Sequence, residues 1–442
     1  MDKSTRAAVA IIMEYSSQFR NFVKLILDLP LFFIGGPLVL VSACLAGLIR
    51  LFYKRKKPNL LWGSVPIKSL ALLSQALSEA GYYSKVVVLG RSSIFTDDYF
   101  DYILMPKRNL GRGINYFVSN IQSYLFFCYA VFKFDIFHYY FDGGILRRTF
   151  FKKIEYVILS LFGKKIISLP YGSDAFVYDK IPNLLWRHVL ISDYPEYGNE
   201  AKQIENRIRF YTRWSDIVIG CLVHAVNLPR WDILPLTCYP VEVHKLVPKY
   251  PSITGKIKVA HAPNHRLIKG TQFLIDAIEK LKNEGIDIEL DIIEGVSNKE
   301  ALQRIGECDI FVDQLVFGYA LAAQEAMALG KIVVSGLDMS DSHYQLFKYY
   351  SYLDECPVVP AGINNIYEVL KKLIRQRSVW VGLGHKMRNY VVFRHSYEFY
   401  AGMFKFVYSN PRSDLALYFL NGRLDSLEYD TEMLEECELY AN

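Results

Sequence analysis

Short apolar runs alternate with longer amphipathic ones along most of this 442-residue chain. Leu60-Leu61-Trp62-Gly63 is the first such run, and a helical pattern follows from about Ile67 to Ala80. Lys85–Leu89, Phe134–Tyr139 and Lys165–Leu169 read as further strands, largely apolar as expected of strands covered on both faces. A second series starts with Ile257–Ala260 and continues through Ile288–Ile293, Asp309–Val312 and Lys331–Val334. Between the series, Pro229, Pro235, Pro240, Pro248 and Pro251 mark a connector. Helical patterns over Ile366–Arg375 and His395–Tyr408 close the chain. The alternation predicts an α/β protein with two doubly wound, Rossmann-like domains and a cleft between them. Four spans are expected: an N-terminal segment 1–57, domains at 58–250 and 251–395, and a closing helix with an acidic tail at 396–442.

The N-terminal segment breaks this pattern. Residues 31–49 carry no charge, and Arg50 and Lys54-Arg55-Lys56-Lys57 follow at once. A run of that length suits a single bilayer span, and the basic cluster places its C-terminal side in the cytoplasm. Gly35-Gly36-Pro37 interrupts the run near its start, so a re-entrant hairpin or an interfacial helix is the alternative anchor. Upstream, Val9, Ile12, Ser16, Phe19, Val23 and Ile26 keep a three-four spacing. That predicts a helix with one apolar stripe, lying on a membrane or against a partner. The expected location is the cytoplasmic face of the cell membrane.

Composition agrees with a membrane-associated protein. Apolar residues make up 52% and aromatics 15%, with a mean hydropathy of +0.12. The net charge of +6 is uneven: from Arg50 to Lys165, eighteen Lys/Arg face seven Asp/Glu. This balance points to an anionic partner such as a membrane surface. Nucleic acid is not expected, because no reader motif is present. After Arg423 there are seven acids and no bases, a tail given no chemistry. The seven cysteines are scattered, odd in number and without Cys-x-x-Cys, which suits reduced structural thiols. No zinc spacing, Asp-x-Asp, Walker pattern, Gly-x-Gly-x-x-Gly or Gly-x-Ser-x-Gly occurs. Oligomeric state has no signal in the sequence.

Two segments carry the candidate chemistry. After the strand at Ile257 comes His261-Ala262-Pro263-Asn264-His265-Arg266-Leu267-Ile268-Lys269-Gly270-Thr271, which sets two fixed cations before a helix. Later, Gln324-Glu325-Ala326-Met327-Ala328-Leu329-Gly330 reads as a small-residue helix that Glu325 begins. Cations and helix-start amides can take the phosphates of a nucleotide diphosphate, and the carboxylate can take ribose hydroxyls. Each residue also has a plainer reading. Arg266 and Lys269 can be a solvated loop pair, and Glu325 a favourable first-turn acid. His138 can be a core histidine, Asp174 a turn cap beside Gly172, and Asp313 and Gln314 a strand end. Arg147-Arg148 and Lys152-Lys153 flank Phe150-Phe151, a solvated helix face or a headgroup contact.

Taken together, these residues resemble the retaining GT-B glycosyltransferases (family 4-like, group 1), in particular the branch that works on bacterial surface polysaccharides. The likeness covers about residues 59–410. It rests on His261-Ala262-Pro263-Asn264, Arg266, Lys269-Gly270-Thr271, Asp309, Asp313-Gln314-Leu315 and the run from Glu325 to Gly330. The weaker part is Asp135-Ile136-Phe137-His138 and Pro170-Tyr171-Gly172-Ser173-Asp174. The resemblance implies that Arg266, Lys269, Gly270, Asp313, Gln314, Gly318 and Glu325 bind the donor. It implies catalytic roles for Glu325, Tyr171, Asp174 and His138, with the Pro170–Asp174 loop on the acceptor side. The donor would be a nucleotide-diphosphate sugar, with no other cofactor and no metal. The acceptor would be lipid-linked or a growing polysaccharide. Phe317 stands where many members carry a Glu, Tyr171 where a His usually precedes Gly, and Ala320 where a Gly is common. Those departures keep two other readings open: a catalytically inactive scaffold or glycan-binding subunit, and a nucleotide-sugar epimerase.

Overall fold

The structure, a computed structural model, describes residues 29–421 except 54, 93–96, 110 and 338–341. The Val9–Ile26 stripe, Lys54 and the acidic tail lie outside the described residues. Two sheets form. The first contains β1 (Leu60–Ser64), β2 (Ser84–Val88), β3 (Tyr102–Ile103), β4 (Ile136–Tyr140), β5 (Lys165–Leu169) and β6 (Ile217–Val218), in the order β3-β2-β1-β4-β5-β6. The second contains β7 (Ile257–His261), β8 (Ile288–Ile292), β9 (Ile310–Val312), β10 (Ile332–Ser335) and β11 (Val359–Pro360), in the order β11-β10-β9-β7-β8. All four pairings of the second sheet are parallel. The expected class, two doubly wound parallel α/β sheets, is what the chain adopts. The strands β3, β6 and β11, two residues each, have no readable pattern in the sequence.

Strand order decides where ligands can bind. In an open parallel sheet the crevice lies beyond the carboxyl ends of the two strands whose connections leave in opposite directions. In the second sheet those strands are β7 and β9, since β8 lies on one side of β7 and β9, β10 and β11 on the other. His261 pairs with Val312, so residues 262–266 and 313–320 leave the sheet side by side. In the first sheet the reversal falls between β1 and β4. There Ser64 Oγ donates to the Gly143 carbonyl at 2.9 Å.

The described residues fall into two compact units. One holds the residues up to Leu70, Tyr82–Ile167 and Arg213–Asp216. Its core is aromatic: Trp62, Phe127, Phe134, Phe137, Tyr139 and Tyr156 are fully buried. The loop after β4 is held by the buried Glu155, which accepts from the Ile145 and Leu146 N–H groups at 2.9 and 2.8 Å and from the Tyr139 hydroxyl at 2.8 Å. The other unit holds Ala71–Gly81, Ser168–Thr212 and Ile217 onward, including all of the second sheet.

The apolar N-terminal run is a helix, Leu29–Phe52, unbroken through Gly35-Gly36-Pro37. The hairpin suggested by that triplet is therefore absent. The glycines serve packing instead. A Cβ at Gly35 would come within 2.9 Å of the Tyr124 ring, at Gly36 within 2.8 Å of Phe151, and at Gly47 within 2.8 Å of Phe162. The helix lies along the first unit with its small residues inward, and a third of its most apolar stretch is buried there.

Candidate functional site

Beyond β7 the chain does not run as a basic loop. After residues 262–265 it forms a short helix, Arg266–Lys269, which carries both cations and is closed by Gly270 in the left-handed region (φ 68°). A side chain there would be strained and would press on Leu315, whose Cβ lies 3.0 Å from the built Cβ position. The same glycine starts the helix Thr271–Asn283. The short helix is tied down from outside the sheet. The Ile268 N–H donates to Asp193 Oδ2 at 3.1 Å, and the Tyr194 and His265 rings sit 4.6 Å apart.

This turn sends the two cations to different environments. Arg266 is exposed and makes a two-point contact with Glu294, Nε at 2.9 Å and Nη2 at 2.6 Å. Lys269 is buried, with its Nζ on Asp313 Oδ1, and the side chains are 7% and 0% exposed. Glu294 was not among the candidates from sequence. Its signal is a carboxylate just past β8, followed by Gly295 at φ 68°.

Asp313 links the lysine to the next helix. Its Oδ2 accepts the Ala320 N–H at 2.7 Å, and Ala320 is the N-cap of the helix Leu321–Ala328. The positive end of that helix and the Lys269 ammonium thus meet on one carboxylate. Below them His261 bridges the layer. Its Nδ1 meets the Val312 carbonyl at 2.7 Å and its Nε2 meets Thr271 Oγ1 at 2.9 Å. Burial lowers the His261 pKa, so the ring is neutral and the Nδ1–H donates. Gln314 donates through Nε2 to the Phe317 carbonyl, and its own carbonyl takes the Gly336 N–H at 2.7 Å. Gly318 has φ 56°, and a Cβ there would come within 3.2 Å of Val223. Its N–H faces the Gly336 carbonyl at 2.8 Å and the Tyr344 hydroxyl at 3.0 Å.

Glu325 does not begin its helix. The helix starts at Leu321, so Glu325 sits a full turn in, 7% exposed. The first-turn reading fails for that reason, because Ala320 and Leu321 form the actual start. Phe317, at the position where a sugar-contacting Glu is common, is buried with its ring 4.8 Å from Trp186. Trp186 Nε1 donates to the neighbouring Val316 carbonyl at 2.8 Å.

The Tyr171 loop belongs to the same compact unit. Asp174 is 1% exposed, and its Oδ1 accepts the N–H groups of Tyr171 and Gly172 at 3.0 and 2.9 Å. This is the turn-capping role the sequence left open. His224 holds the loop from the other side, Nε2 facing the Gly172 carbonyl at 3.2 Å and Nδ1 facing Cys221 Sγ at 3.2 Å. Burial pulls the His224 pKa down to about 3. The neutral ring then donates from Nε2 to the carbonyl and accepts the thiol proton at Nδ1. Tyr171 has its carbonyl fixed by the Tyr239 hydroxyl at 2.9 Å. His224 and Tyr239 had no sequence signal, because their contacts with the Tyr171–Gly172 loop lie 52 and 68 residues away in the chain.

His138 is a core residue. It is fully buried in the first unit, stacked on Trp62 with ring centroids 3.7 Å apart, and its Nδ1 meets the Leu61 carbonyl at 3.2 Å. Burial lowers its pKa to about 3. A ring this enclosed and this hard to protonate does not serve as an acid or base near neutral pH, so His138 is structural and not catalytic.

No protein-family profile matches the chain, and no curated protein matches it. Solved structures resemble it in chain path. An alpha-glucosyltransferase in complex with UDP-glucose and DNA containing an abasic site is 12% identical, with a TM-score of 0.49, over 79% of this chain and 98% of that one. Anabaena HepE in complex with UDP-glucose is 11% identical, with a TM-score of 0.49, over 80% of this chain and 99% of that one. The glycosyltransferase SnogD from Streptomyces nogalater is 11% identical, with a TM-score of 0.40, over 80% and 100%. At such identities and scores nothing about chemistry follows from these likenesses.

Proposed function

We propose that the protein is a membrane-associated glycosyltransferase. It moves a sugar from a nucleotide-diphosphate donor to a lipid-linked or growing polysaccharide acceptor, with retention and without a metal, at the cytoplasmic face of the cell membrane. One observation supports this reading above the rest. At the strand-order reversal of the second sheet, a buried lysine and the N-terminus of a helix converge on a single anion, Asp313. A diphosphate leaving group is also an anion, more highly charged than one carboxylate, and needs partners of the same kind as the glycosidic bond breaks. Donor binding then requires Asp313 to share or surrender Lys269, and Arg266 to exchange Glu294 for phosphate. Gly270, Gln314 and Gly318 shape the loops at that edge, and Glu325 contacts the ribose or the sugar. Tyr171 and Asp174 serve the acceptor side, Asp174 by holding the loop. Residues 58–250 form the acceptor domain and 251–395 the donor domain.

The test is transfer or hydrolysis of nucleotide sugars by the purified full chain, with and without EDTA. Turnover that persists in EDTA supports the reading; turnover abolished by EDTA and restored by magnesium or manganese removes the metal-free part. Deleting residues 1–57 should release much of the protein from membranes, and unchanged retention would move the anchor elsewhere.

A second reading has its own observation. Both donor-side cations are already neutralised by carboxylates, Lys269 by Asp313 and Arg266 by Glu294. A scaffold that had lost its donor would be built this way. No binding of any nucleotide diphosphate, with the fold intact, would favour it.

A further inference from the structure

The helix Leu29–Phe52 is inside out for a helix docked on a water-soluble unit. Its inward face is mostly small: Gly35, Gly36, Ser42, Ala43 and Ala46 are buried, together with Leu31 and Val39. Its outward face is large and apolar: Phe33, Ile34, Val41, Leu45, Leu48 and Phe52 are all exposed, Phe52 by 89%. A helix facing water carries the reverse pattern. The apolar face does not end with the helix. Phe32 lies 5.7 Å from the ring of Phe150, which is exposed, as are Ile154 and Leu161 in the helix that follows it. Continuous apolar surface on this scale marks an interaction site.

Charge identifies the occupant. Lys152 and Lys153 are exposed between Phe150 and Ile154, and Lys56 and Lys57 are exposed just past the end of the helix. Between residues 143 and 165 the only acid is Glu155, which is buried. A large apolar face rimmed by lysines complements an anionic lipid leaflet.

We infer that the Leu29–Phe52 helix does not cross the bilayer but lies in the plane of one leaflet, sharing a single insertion depth with Phe150, Ile154 and Leu161. The reason is the way it is held. Tyr124, Phe151 and Phe162 pack under Gly35, Gly36 and Gly47, so the α/β unit flanks the helix along its length. Standing the helix upright would carry that flank, with Lys152 and Lys153, into hydrocarbon, where charged groups are costly. Lying flat keeps the lysines at the headgroups and buries only the apolar face. The inference rests on the membrane reading proposed above and specifies its geometry.

Nitroxide depth measurement tests it. Ile34→Cys, Val41→Cys, Leu48→Cys and Leu161→Cys, each in a Cys44→Ser/Cys128→Ser/Cys437→Ser background of the full chain, are spin-labelled. They are bound to phosphatidylcholine vesicles with and without phosphatidylglycerol. In-plane insertion gives four labels at one depth within about one helical turn, roughly 5 Å, and binding that weakens when Lys152 and Lys153 become Gln. A label at position 41 that sits about 10 Å deeper than those at 34 and 48 means a span, at the ~1.5 Å rise per residue of a helix, and overturns this inference alone. Failure to bind either vesicle overturns the membrane reading as well. Labels already shielded from a water-soluble relaxant without lipid show a face covered by the protein itself, which also overturns the inference.

Discussion

Lys269 and Asp313, 44 residues apart in sequence, form a buried ion pair, and the second carboxylate oxygen of Asp313 caps the start of the helix Leu321–Ala328. The pair therefore joins the two loops that leave the sheet at its strand-order reversal. Neither partner is solvated, so each replaces water as the other's partner.

Removing one partner should be expensive in stability. We expect Lys269→Met to destabilise the fold by about 3–5 kcal/mol, the usual cost of leaving a buried charge unpaired. Lys269→Met with Asp313→Leu should recover much of that loss, though the Ala320 N–H then lacks its acceptor. Urea unfolding midpoints measure both. A single variant as stable as the parent would mean that the pair is solvated and open in solution.

Arg266 answers a different question, because its partner is at the surface. If it binds donor phosphate, Glu294 competes for it. Arg266→Ala should weaken nucleotide-diphosphate binding at least tenfold, and Glu294→Gln should strengthen it or leave it unchanged. Calorimetry with a panel of nucleotide diphosphates reads both variants. Unchanged binding in Arg266→Ala would assign the arginine to the ion pair alone.

Glu325 and Tyr171 separate donor use from acceptor positioning. We expect Glu325→Gln to cut the initial transfer rate at least tenfold with the melting temperature little changed. A buried carboxylate–hydroxyl contact contributes about 1–3 kcal/mol. Tyr171→Phe should cut it less, since the Asp174 and Tyr239 bonds to this residue go to its backbone. Wild-type rates in Glu325→Gln would favour the scaffold reading.

The buried histidines set the acid limit of stability. His138, His224 and His395 are each pulled down to about 3 by burial. Between that value and the unfolded value near 6.5 the unfolded chain binds more protons. Stability should therefore be full above about pH 6.5 and fall as pH drops below it, with a limiting slope of about 1.4 kcal/mol per pH unit for each histidine. Replacing His138 by Phe should lower that slope by one histidine's share, as measured by denaturation from pH 7.5 to 4.5. An unchanged slope would mean that His138 is not buried neutral.

What the sequence determined by itself is local. Runs such as Lys165–Leu169 and Ile257–Ala260 read as strands of a covered parallel sheet, since they are short and largely apolar. The chemical types at the donor edge were legible from Arg266 to Glu325. Which strands meet was not legible, because pairing joins β7 to β9 across some fifty residues. The tertiary structure alone decided where each polar group ended up. It buried Lys269 against Asp313 while leaving Arg266, three residues away, on the surface with Glu294. It stacked His138 on Trp62, and it set Glu325 one turn inside its helix. It also turned the glycines of the N-terminal helix from a suspected break into a packing face. The physical reason is common to all four. The free energy of a charge or a large apolar group depends on what surrounds it, and those neighbours come from distant parts of the chain.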